Sequence, residues 1–246
     1  MNVSVCVPVY RSHAAPNVGT LAAALPAALA GRPGELVVTL NGISASEAGV
    51  PDGVRTVAHA ENLGVAPGWN AAARAAQGGI LVFANDDAEL GPASLDTLAR
   101  AVEAREDVGV AGPAGSMWDF ATARLLGNLD AHDLAPGRLH DVDAVSGFLF
   151  AMRREVYDRL GGFDEAYAPA SWEEIDFACA VRAAGLRSVV VGGIDVVHEW
   201  GISARAPVWR RVRWNGRSDL LWSIHRRNRR HFLGKWGAAS SRRDAS

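Results

Sequence analysis

The stretch Ile80-Leu81-Val82-Phe83-Ala84-Asn85-Asp86-Asp87 places five apolar residues directly before one amide and two carboxylates. A short continuous apolar run that ends in turn residues is typical of a strand buried on both faces. Open α/β sheets bind ligands just beyond the carboxyl ends of such strands, where Asp86 and Asp87 would lie. The same two acids also suit an ordinary polar turn. The stretch alone therefore leaves two interpretations open, a turn and a metal-binding site.

Strand-like and helix-like segments alternate on both sides of this stretch. The expected strands cover residues 3–10, 35–40, 54–57, 80–84, 108–112, 145–152, 188–191 and 196–198. The expected helices cover residues 17–29, 69–77, 92–102, 154–160 and 171–184, with a loop at 61–68 and no regular pattern at 113–143. Alternating strands and helices predict one α/β, Rossmann-like domain with a mostly parallel central sheet between helices.

Composition and cysteine content are those of an ordinary soluble protein. The chain has 246 residues, of which 49% are hydrophobic and 21% are charged, as in a globular domain. The first residues lack the basic and apolar regions of a signal peptide, and no run of about 18 apolar residues occurs. Cys6 and Cys179 are expected to be buried free thiols of a reducing compartment. These features predict a cytoplasmic protein.

Charge divides the chain into an acidic body and a basic, helical extension. Residues 205–246 contain 12 Lys/Arg and 2 Asp/Glu, whereas residues 1–204 contain 13 and 25. Such a division predicts that the extension contacts phosphates, in membrane headgroups, a phosphorylated ligand or nucleic acid. An arginine-rich end that only improves solubility is the alternative interpretation.

A second group of acids opens a helix at Ser171-Trp172-Glu173-Glu174. Ser171 and Glu174 fit a capping box, a purely structural role. Glu173 and Asp176 are three residues apart and share a helix face. Acids in a first turn also gain from the helix dipole, but three in four residues exceed what a cap needs. His198 follows a late strand, and a lone histidine suits a polar turn as well as a ligand.

Several segments, in their order along the chain, resemble the family 2 inverting glycosyltransferases, and most closely their rhamnosyltransferase-like branch. The matching segments are 5–10, 61–64 with Trp69-Asn70, 83–90, 146–149 with Arg153-Arg154, 161–165, 172–176 with Arg182 and Gly185, and His198. The resemblance implies a GT-A domain over residues 1–204. Its nucleotide-sugar half would cover about residues 1–110 and its acceptor and catalytic half 111–204, before the extension 205–246.

The resemblance also implies a reaction. A sugar would move from a nucleoside-diphosphate sugar to an acceptor hydroxyl with inversion at the anomeric carbon, as in polysaccharide biosynthesis. A divalent cation, Mn²⁺ or Mg²⁺, would stabilise the leaving diphosphate. The implied metal ligands are Asp87 and His198, with Asn85 as a neutral helper where many members have Asp.

Family positions also imply the remaining roles. The general base that such a reaction needs falls on Glu174, with Glu173 as the fallback. The expected nucleotide-sugar contacts are Pro8, Val9, Tyr10, Asn41, Asn62, Gly64, Asn70, Asn85 and Asp86, and the expected acceptor contacts are Gly147, Phe148, Trp172 and Asp176. Trp172 is equally interpreted as a hydrophobic staple. Leu40 stands where the family commonly has an Asp that recognises the nucleotide base, so the identity of the nucleotide-sugar donor stays open.

Other functions predict other features. A nucleotidyltransferase would have a glycine-rich basic loop after the first strand, and residues 10–14 do not. A non-catalytic nucleotide-sugar or glycan-binding module would lack either the metal-binding acids or the general-base acids. Both groups of acids are present in this chain. A nucleic-acid binder is disfavoured by the acidic body. The expected partners are therefore the donor, a glycan, lipid-linked or small-metabolite acceptor, and an anionic membrane surface met by the extension. The oligomeric state stays open, with a homodimer as one option.

Overall fold

The structure is a computed structural model that describes residues 1–10, 17–198 and 209–237. The described strands are β1 Val3–Val9, β2 Gly34–Asn41, β3 Arg55–His59, β4 Ile80–Ala84, β5 Glu89–Leu90, β6 Val108–Gly112, β7 Ala114–Asp119, β8 Arg124–Asp130, β9 Leu139–Val142, β10 Ala144–Val145, β11 Leu149–Arg153, β12 Arg187–Val191, β13 Val196–Val197, β14 Arg211–Trp214 and β15 Arg217–Leu220.

The described α-helices are α1 Val18–Leu29, α2 Val65–Ala75, α3 Ser94–Glu103, α4 Arg154–Leu160, α5 Glu173–Ala183 and α6 Leu221–Phe232. Two 3-10 turns, Ala131–Asp133 and Glu165–Tyr167, and a π-helical turn, Leu233–Gly237, complete the regular structure. Residues 11–14 of the loop considered above, and residues 205–208 and 238–246 of the basic extension, lie outside the described residues.

One eight-stranded sheet, in the order β3-β2-β1-β4-β11-β6-β12-β9, forms the centre of the molecule. Strands β1, β2, β3 and β4 pair in parallel, as do β6 and β12. Strand β11 runs antiparallel between β4 and β6, and β9 runs antiparallel to β12. The expected α/β domain with a mostly parallel sheet is confirmed, although one antiparallel strand divides the parallel pairs.

Strand β4 is buried along its whole length between β1 and β11. Phe83 stands opposite Cys6 on one side and Phe150 on the other. The Phe83 ring centroid lies 5.3 Å from that of Phe150 and 5.8 Å from that of Trp69, a residue of α2. Such aromatic pairs add about 0.5–1.5 kcal/mol each beyond burial of area. This packing fixes the strand whose end carries Asn85.

Residues 113–143 are not irregular, so that expectation is wrong. Strands β7 and β8 form an antiparallel hairpin in a separate three-stranded sheet with β10, and β9 forms the edge of the central sheet. Met117, Leu125 and Leu126 are exposed on this hairpin. Apolar residues that face solvent remove the alternation by which a half-buried strand is recognised.

Two further boundaries differ from expectation. Helix α2 begins at Val65 rather than Trp69, since Val65 N donates to Pro169 O at 2.8 Å and Pro67 suits a first helical turn. The strand expected over 145–152 is interrupted at residues 146–148, between β10 and β11. Both departures place irregular backbone beside the candidate site described below.

The expected capping box at the start of α5 does not form. Ser171 and Trp172 have φ values of 80° and 82°, in the left-handed region, and the helix begins at Glu173 without a side-chain cap. Left-handed backbone is uncommon for residues other than glycine. Glu174 is therefore not used to cap its own helix.

The basic extension contains the hairpin β14–β15 as well as the expected helix, α6. Asn228 is fully buried and donates to the carbonyls of Tyr167, Ala170 and Ser171 at 2.6–3.0 Å. Phe232, also fully buried, packs against Trp172 with ring centroids 5.0 Å apart. These contacts fix α6 against the segment that leads into α5.

Two predictions from composition can be compared with the described residues. Cys6 and Cys179 are buried and free, as expected. Within residues 1–10, 17–198 and 209–237, we find no helix with the length and apolarity that crossing a bilayer requires.

Candidate active site

A cleft of about 420 Å³ opens where strands β1, β2 and β4 end, and the start of α5 also lines it. Residues from both halves of the chain line this cleft. The expected site residues among them are Pro8, Tyr10, Asn41, Asn62, Gly64, Asn85, Asp86, Asp87, Gly147, Phe148, Glu173, Glu174 and His198. The structure thus brings most of the expected site residues to one cavity at the carboxyl edge of the sheet.

Asp87 and His198 meet although 110 residues of sequence separate them. Strand β13 pairs antiparallel with β5, with Val197 opposite Glu89, so that His198 comes next to the end of the β4 loop. His198 Nε2 lies 3.4 Å from Asp87 Oδ1 and 3.3 Å from Asn85 Nδ2. The Phe148 ring stacks on the imidazole, with centroids 4.4 Å apart. The pair is therefore held in a defined, largely buried position.

This donor set fits a divalent cation. A carboxylate oxygen and an imidazole nitrogen that already face each other suit Mn²⁺, and such ions usually keep phosphate oxygens and water as further ligands. Within the described residues, no group of three His, Cys, Asp or Glu side chains converges as a complete cage. The arrangement therefore suits a metal shared with a bound diphosphate. Asn85 turns its amide nitrogen, not its oxygen, toward His198.

Glu173 and Glu174 line the cleft at the start of α5. Glu173 is buried, and Oε2 of its carboxylate has no hydrogen-bond partner among the described residues, whereas Glu174 is half-buried. Burial raises the pKa of Glu174, and burial together with the charge of Glu174 raises the pKa of Glu173. A carboxylate whose pKa is raised toward neutrality is suited to general-base chemistry.

Gly147 lies close to the Glu174 side chain. A Cβ atom at Gly147 would lie 3.2 Å from Glu174 Cδ and 3.4 Å from Glu174 Oε1. Such a distance is tighter than an ordinary van der Waals contact, so only glycine leaves the carboxylate its present position. The irregular backbone between β10 and β11 therefore sets how Glu174 faces the cleft.

The loop at Asn62–Gly64 joins the first strands to later segments. Gly64 N donates to Asn62 Oδ1 at 2.9 Å, and Asn41 Nδ2 donates to Gly64 O at 3.1 Å. Gly64 has φ 105°, and a Cβ there would lie 2.7 Å from Pro169 Cα. Asn62 Nδ2 also donates to Arg213 O at 3.0 Å. This wall of the cleft thus depends on contacts far apart in sequence.

The side chains of two expected donor contacts occupy structural positions. Val9 is a core residue, 1% exposed. The Oδ1 atom of Asn70 accepts from the Tyr157 hydroxyl at 2.8 Å and from Phe163 N at 3.0 Å, and its Nδ2 donates to Phe163 O at 2.9 Å. Neither residue lines the cleft. Asn70 instead fixes α2 against the segment after α4.

Two expected acceptor contacts also lie outside the cleft lining. Trp172 packs against Trp118 and Phe232, which agrees with its alternative, structural interpretation. Asp176 is buried, and its carboxylate accepts from Tyr167, Trp236 and Lys235 at 2.7–2.9 Å. Asp176 therefore anchors Lys235 and Trp236 of the C-terminal segment and does not line the cleft.

The structure adds cleft residues that the sequence analysis missed. From β7 and β8 they are Ser116, Trp118, Leu125 and Asn128, and from the C-terminal segment they are Arg210, Val212 and Leu221. Trp118 is fixed by two hydrogen bonds, from its Nε1 to Ser116 Oγ at 2.7 Å and from its N to Asp143 Oδ2 at 2.8 Å. The sequence contained one signal for Trp118 as a site residue. It is an aromatic residue near leucines that prove to be exposed, in a segment without helix or strand periodicity.

Comparison with known proteins identifies the family. Residues 41–161 match the family model described as glycosyl transferase family 2. A relative from Sinorhizobium fredii, called uncharacterized protein y4gI, is 29% identical over 147 residues, which cover 52% of this chain and 16% of the relative. The match therefore covers only a small part of that longer protein.

Two solved structures share the fold. One is GalNAc-T7 with UDP, GalNAc and Mn²⁺, with a TM-score of 0.66 and 14% identity over 80% of this chain and 43% of that chain. The other is the mannosyltransferase PcManGT from Pyrobaculum calidifontis with GDP-Man and Mn²⁺, with a TM-score of 0.53 and 23% identity over 81% and 58%. This chain spans less than two thirds of each of them. The family match over residues 41–161 and the shared fold support a glycosyltransferase of family 2 with the GT-A fold.

Proposed function

We propose that the chain is a metal-dependent, inverting glycosyltransferase that moves a sugar from a nucleoside-diphosphate sugar to an acceptor hydroxyl. One observation carries the proposal: the Asp87–His198 pair and the Glu173–Glu174 pair line the same cleft, where the adjacent residues Gly147 and Phe148 contact Glu174 and His198. The first pair comes from the sheet edge and β13, and the second from α5. We keep the division of residues 1–204 into a donor half and an acceptor half as a proposal, in which His198 of the second half joins Asp87 of the first.

Asp87 Oδ1 and His198 Nε2 would hold the cation, and the Asn85 amide, whose nitrogen faces Nε2, would turn its oxygen toward the ion to act as a neutral ligand. When bound, the metal would neutralise charge on the leaving diphosphate as a Lewis acid. Both solved structures described above contain Mn²⁺, and they contain UDP and GDP-Man. These likenesses support a nucleoside-diphosphate donor here. Asp86, which also lines the cleft, is our candidate contact to the ribose.

Asn41 is our candidate for base recognition in place of the missing acid. Leu40 is buried, 4% exposed, and cannot read a base. Asn41 lines the cleft, and its Oδ1 is buried without a hydrogen-bond partner among the described residues. A buried acceptor that lacks a partner costs about 1–3 kcal/mol. An N–H of the base would remove that cost, with Pro8 and Tyr10 as neighbouring contacts.

Glu174 is the candidate general base. Its carboxylate would accept the proton of the acceptor hydroxyl as the oxygen attacks the anomeric carbon and the bond to the diphosphate breaks. Glu174 is the more accessible of the two acids and faces Gly147. The buried Glu173 would then act through Glu174 by charge. This assignment keeps Glu173 as the alternative base.

The β7–β8 hairpin is the candidate acceptor wall. Trp118, Ser116 and Asn128 line the cleft on the side of Glu174. We propose Trp118, rather than Trp172, as the surface on which an acceptor sugar stacks, with Gly147 and Phe148 nearby. The acceptor class and the rhamnosyltransferase-like branch stay predictions.

A thermal-shift screen of UDP-, GDP- and dTDP-linked sugars, with and without Mn²⁺, tests the donor site. A ligand at about 100 times its Kd stabilises a protein by about 2.7 kcal/mol. We expect stabilisation by one nucleotide class that depends on Mn²⁺, followed by slow donor hydrolysis and, with an acceptor, a product of inverted anomeric configuration. No stabilisation by any nucleotide sugar would contradict the proposal. Stabilisation without hydrolysis or transfer would favour a non-catalytic binding module of the same fold.

A further inference from the structure

Two tryptophans project from the same end of the C-terminal hairpin. Trp209 and Trp222 are 73% and 46% exposed. Leu221 N donates to Arg210 O at 2.9 Å, which extends the β14–β15 pairing by one step beyond Arg211 and Leu220. Trp209 and Trp222 flank that pair in the chain, and Arg210 and Leu221 both line the cleft. The two exposed indoles are therefore each adjacent in the chain to a residue that lines the cleft.

Helix α6 carries the Trp222 indole, and the packing of the helix against the body fixes its position. Its inner face, formed by Leu221, Ile224, Asn228 and Phe232, is buried. Its outer face carries Trp222, Arg226 and Arg230 at intervals of four residues, which places them on one side of the helix. Arg226 and Arg230 are exposed and make no hydrogen bond or ion pair with the described residues.

The C-terminal segment that contains this outer face is strongly basic, whereas the body is acidic. Residues 209–237 contain nine Lys/Arg and one Asp, against 13 basic and 25 acidic residues in positions 1–204. An extended polyanion such as RNA would also meet the acidic body, whereas a flat anionic surface need only meet the extension. Indole rings prefer the interface between headgroups and acyl chains, and arginines bind the phosphates there.

We infer that Trp209, Trp222, Arg226 and Arg230 form a docking face for an anionic lipid bilayer. Charge complementarity and the two exposed indoles select this occupant. The contact is peripheral, and it places the mouth of the cleft at the bilayer surface. If the proposed function holds, an acceptor carried on a lipid would reach Glu174 without leaving the membrane.

Co-sedimentation with vesicles tests the docking face without any donor or acceptor. We expect the full chain to bind vesicles that mix phosphatidylglycerol into phosphatidylcholine, and not vesicles of phosphatidylcholine alone. The double variant R226Q/R230Q is expected to lower the partition coefficient by about 25-fold at low salt, about fivefold for each arginine. The double variant W209S/W222S is expected to lower it by about tenfold, since less apolar area leaves water.

A matched control removes the same charge elsewhere. Arg74 and Arg100 are 66% and 73% exposed on the body, and R74Q/R100Q should leave vesicle binding unchanged. Far-UV circular dichroism and Tm verify that each variant is folded. Absence of binding by the natural chain, or equal loss in R226Q/R230Q and R74Q/R100Q, would overturn the inference. Binding of single-stranded homopolymer RNA in place of vesicles would assign the face to nucleic acid and also overturn it. The thermal-shift screen of donors tests the proposed function separately.

Discussion

The two walls of the cleft are built in different ways. The donor wall consists of the ends of adjacent strands, where Pro8, Asn41 and Asn85 are brought together by sheet register. The opposite wall consists of the start of α5, the irregular backbone at Gly147 and the β7–β8 hairpin, which long-range packing brings together. Positions fixed by register follow from the strand pattern, whereas positions fixed by packing do not. Substitutions in the two walls should therefore change activity and donor binding in different ways.

The largest effect is expected in the donor wall. Asp87→Ala removes one of the two candidate protein ligands of the cation, and we expect kcat/KM to fall by about a thousandfold because the Lewis acid supplies several kcal/mol. Stabilisation by Mn²⁺ with the donor should also be lost in the thermal-shift assay. Asp52→Ala, on the exposed loop before β3, is the control. Retained Mn²⁺ dependence in Asp87→Ala would remove this residue from the metal site.

In the opposite wall, Glu174→Gln should abolish proton removal but leave donor binding intact. General-base catalysis contributes about 10²–10⁴-fold, so kcat should fall by that order. The raised pKa of Glu174 means that the base ionises at a higher pH than an ordinary Glu, so activity of the natural enzyme should increase with pH through that range. A rate that is kept in Glu174→Gln and lost in Glu173→Gln would reverse the assignment.

A smaller effect is expected from a substitution that displaces the Glu174 carboxylate without changing its chemistry. Gly147→Ala places a Cβ 3.2 Å from Glu174 Cδ, and a displaced base should lower kcat by about ten- to a hundredfold. Gly127→Ala is the matched control, because a Cβ there meets no atom within 4 Å. Donor affinity should be unchanged in both variants. Equal rates for the two variants would show that Gly147 does not position the base.

Trp118 tests whether the hairpin binds the acceptor. Trp118→Ala should raise the KM for an acceptor found in transfer assays by about tenfold, the size of one aromatic contact, and should leave donor hydrolysis unchanged. Trp118→Phe should restore most of the affinity. If donor affinity falls instead, the hairpin belongs to the donor wall and the comparison of the two walls fails.

The smallest effect concerns stability. Burial and the charge of Glu174 raise the pKa of Glu173 above its unfolded value. Protonated Glu173 therefore contributes to the free energy of unfolding at pH values below its pKa in the unfolded chain. This contribution is lost as the pH rises through its pKa in the folded protein. Glu173→Gln, which stays neutral, should therefore raise Tm relative to the natural chain more at pH 9 than at pH 5. A difference in Tm independent of pH would show that Glu173 is not strained by charge.

The sequence predicts the donor wall well. The apolar run before Asn85 and the β-branched first strand specify adjacent buried strands, and their ends place the polar residues at one edge. The meeting of His198 with Asp87 could only be inferred from the family, because it depends on two-residue strands, β5 and β13, too short to show a period.

The wall formed by the start of α5, Gly147 and the β7–β8 hairpin shows where prediction from sequence fails. Asp176 resembled a site acid, but Tyr167, Lys235 and Trp236 surround it, and only tertiary structure brings those residues near. Trp118 was missed because the exposed leucines of β8 hide the strand pattern. The capping box at Ser171 failed because two successive residues adopt left-handed backbone, which propensity does not anticipate.

Asn62 belongs to the donor wall and also to the interface with the C-terminal hairpin. It lines the cleft, its Nδ2 donates to Arg213 O, and its carbonyl accepts from Asn215 N at 2.8 Å. A bound nucleotide and a bound bilayer would thus act on opposite sides of the same loop. Thermodynamic linkage is reciprocal, so any factor by which a membrane surface tightens donor binding is the factor by which the donor tightens attachment to the membrane.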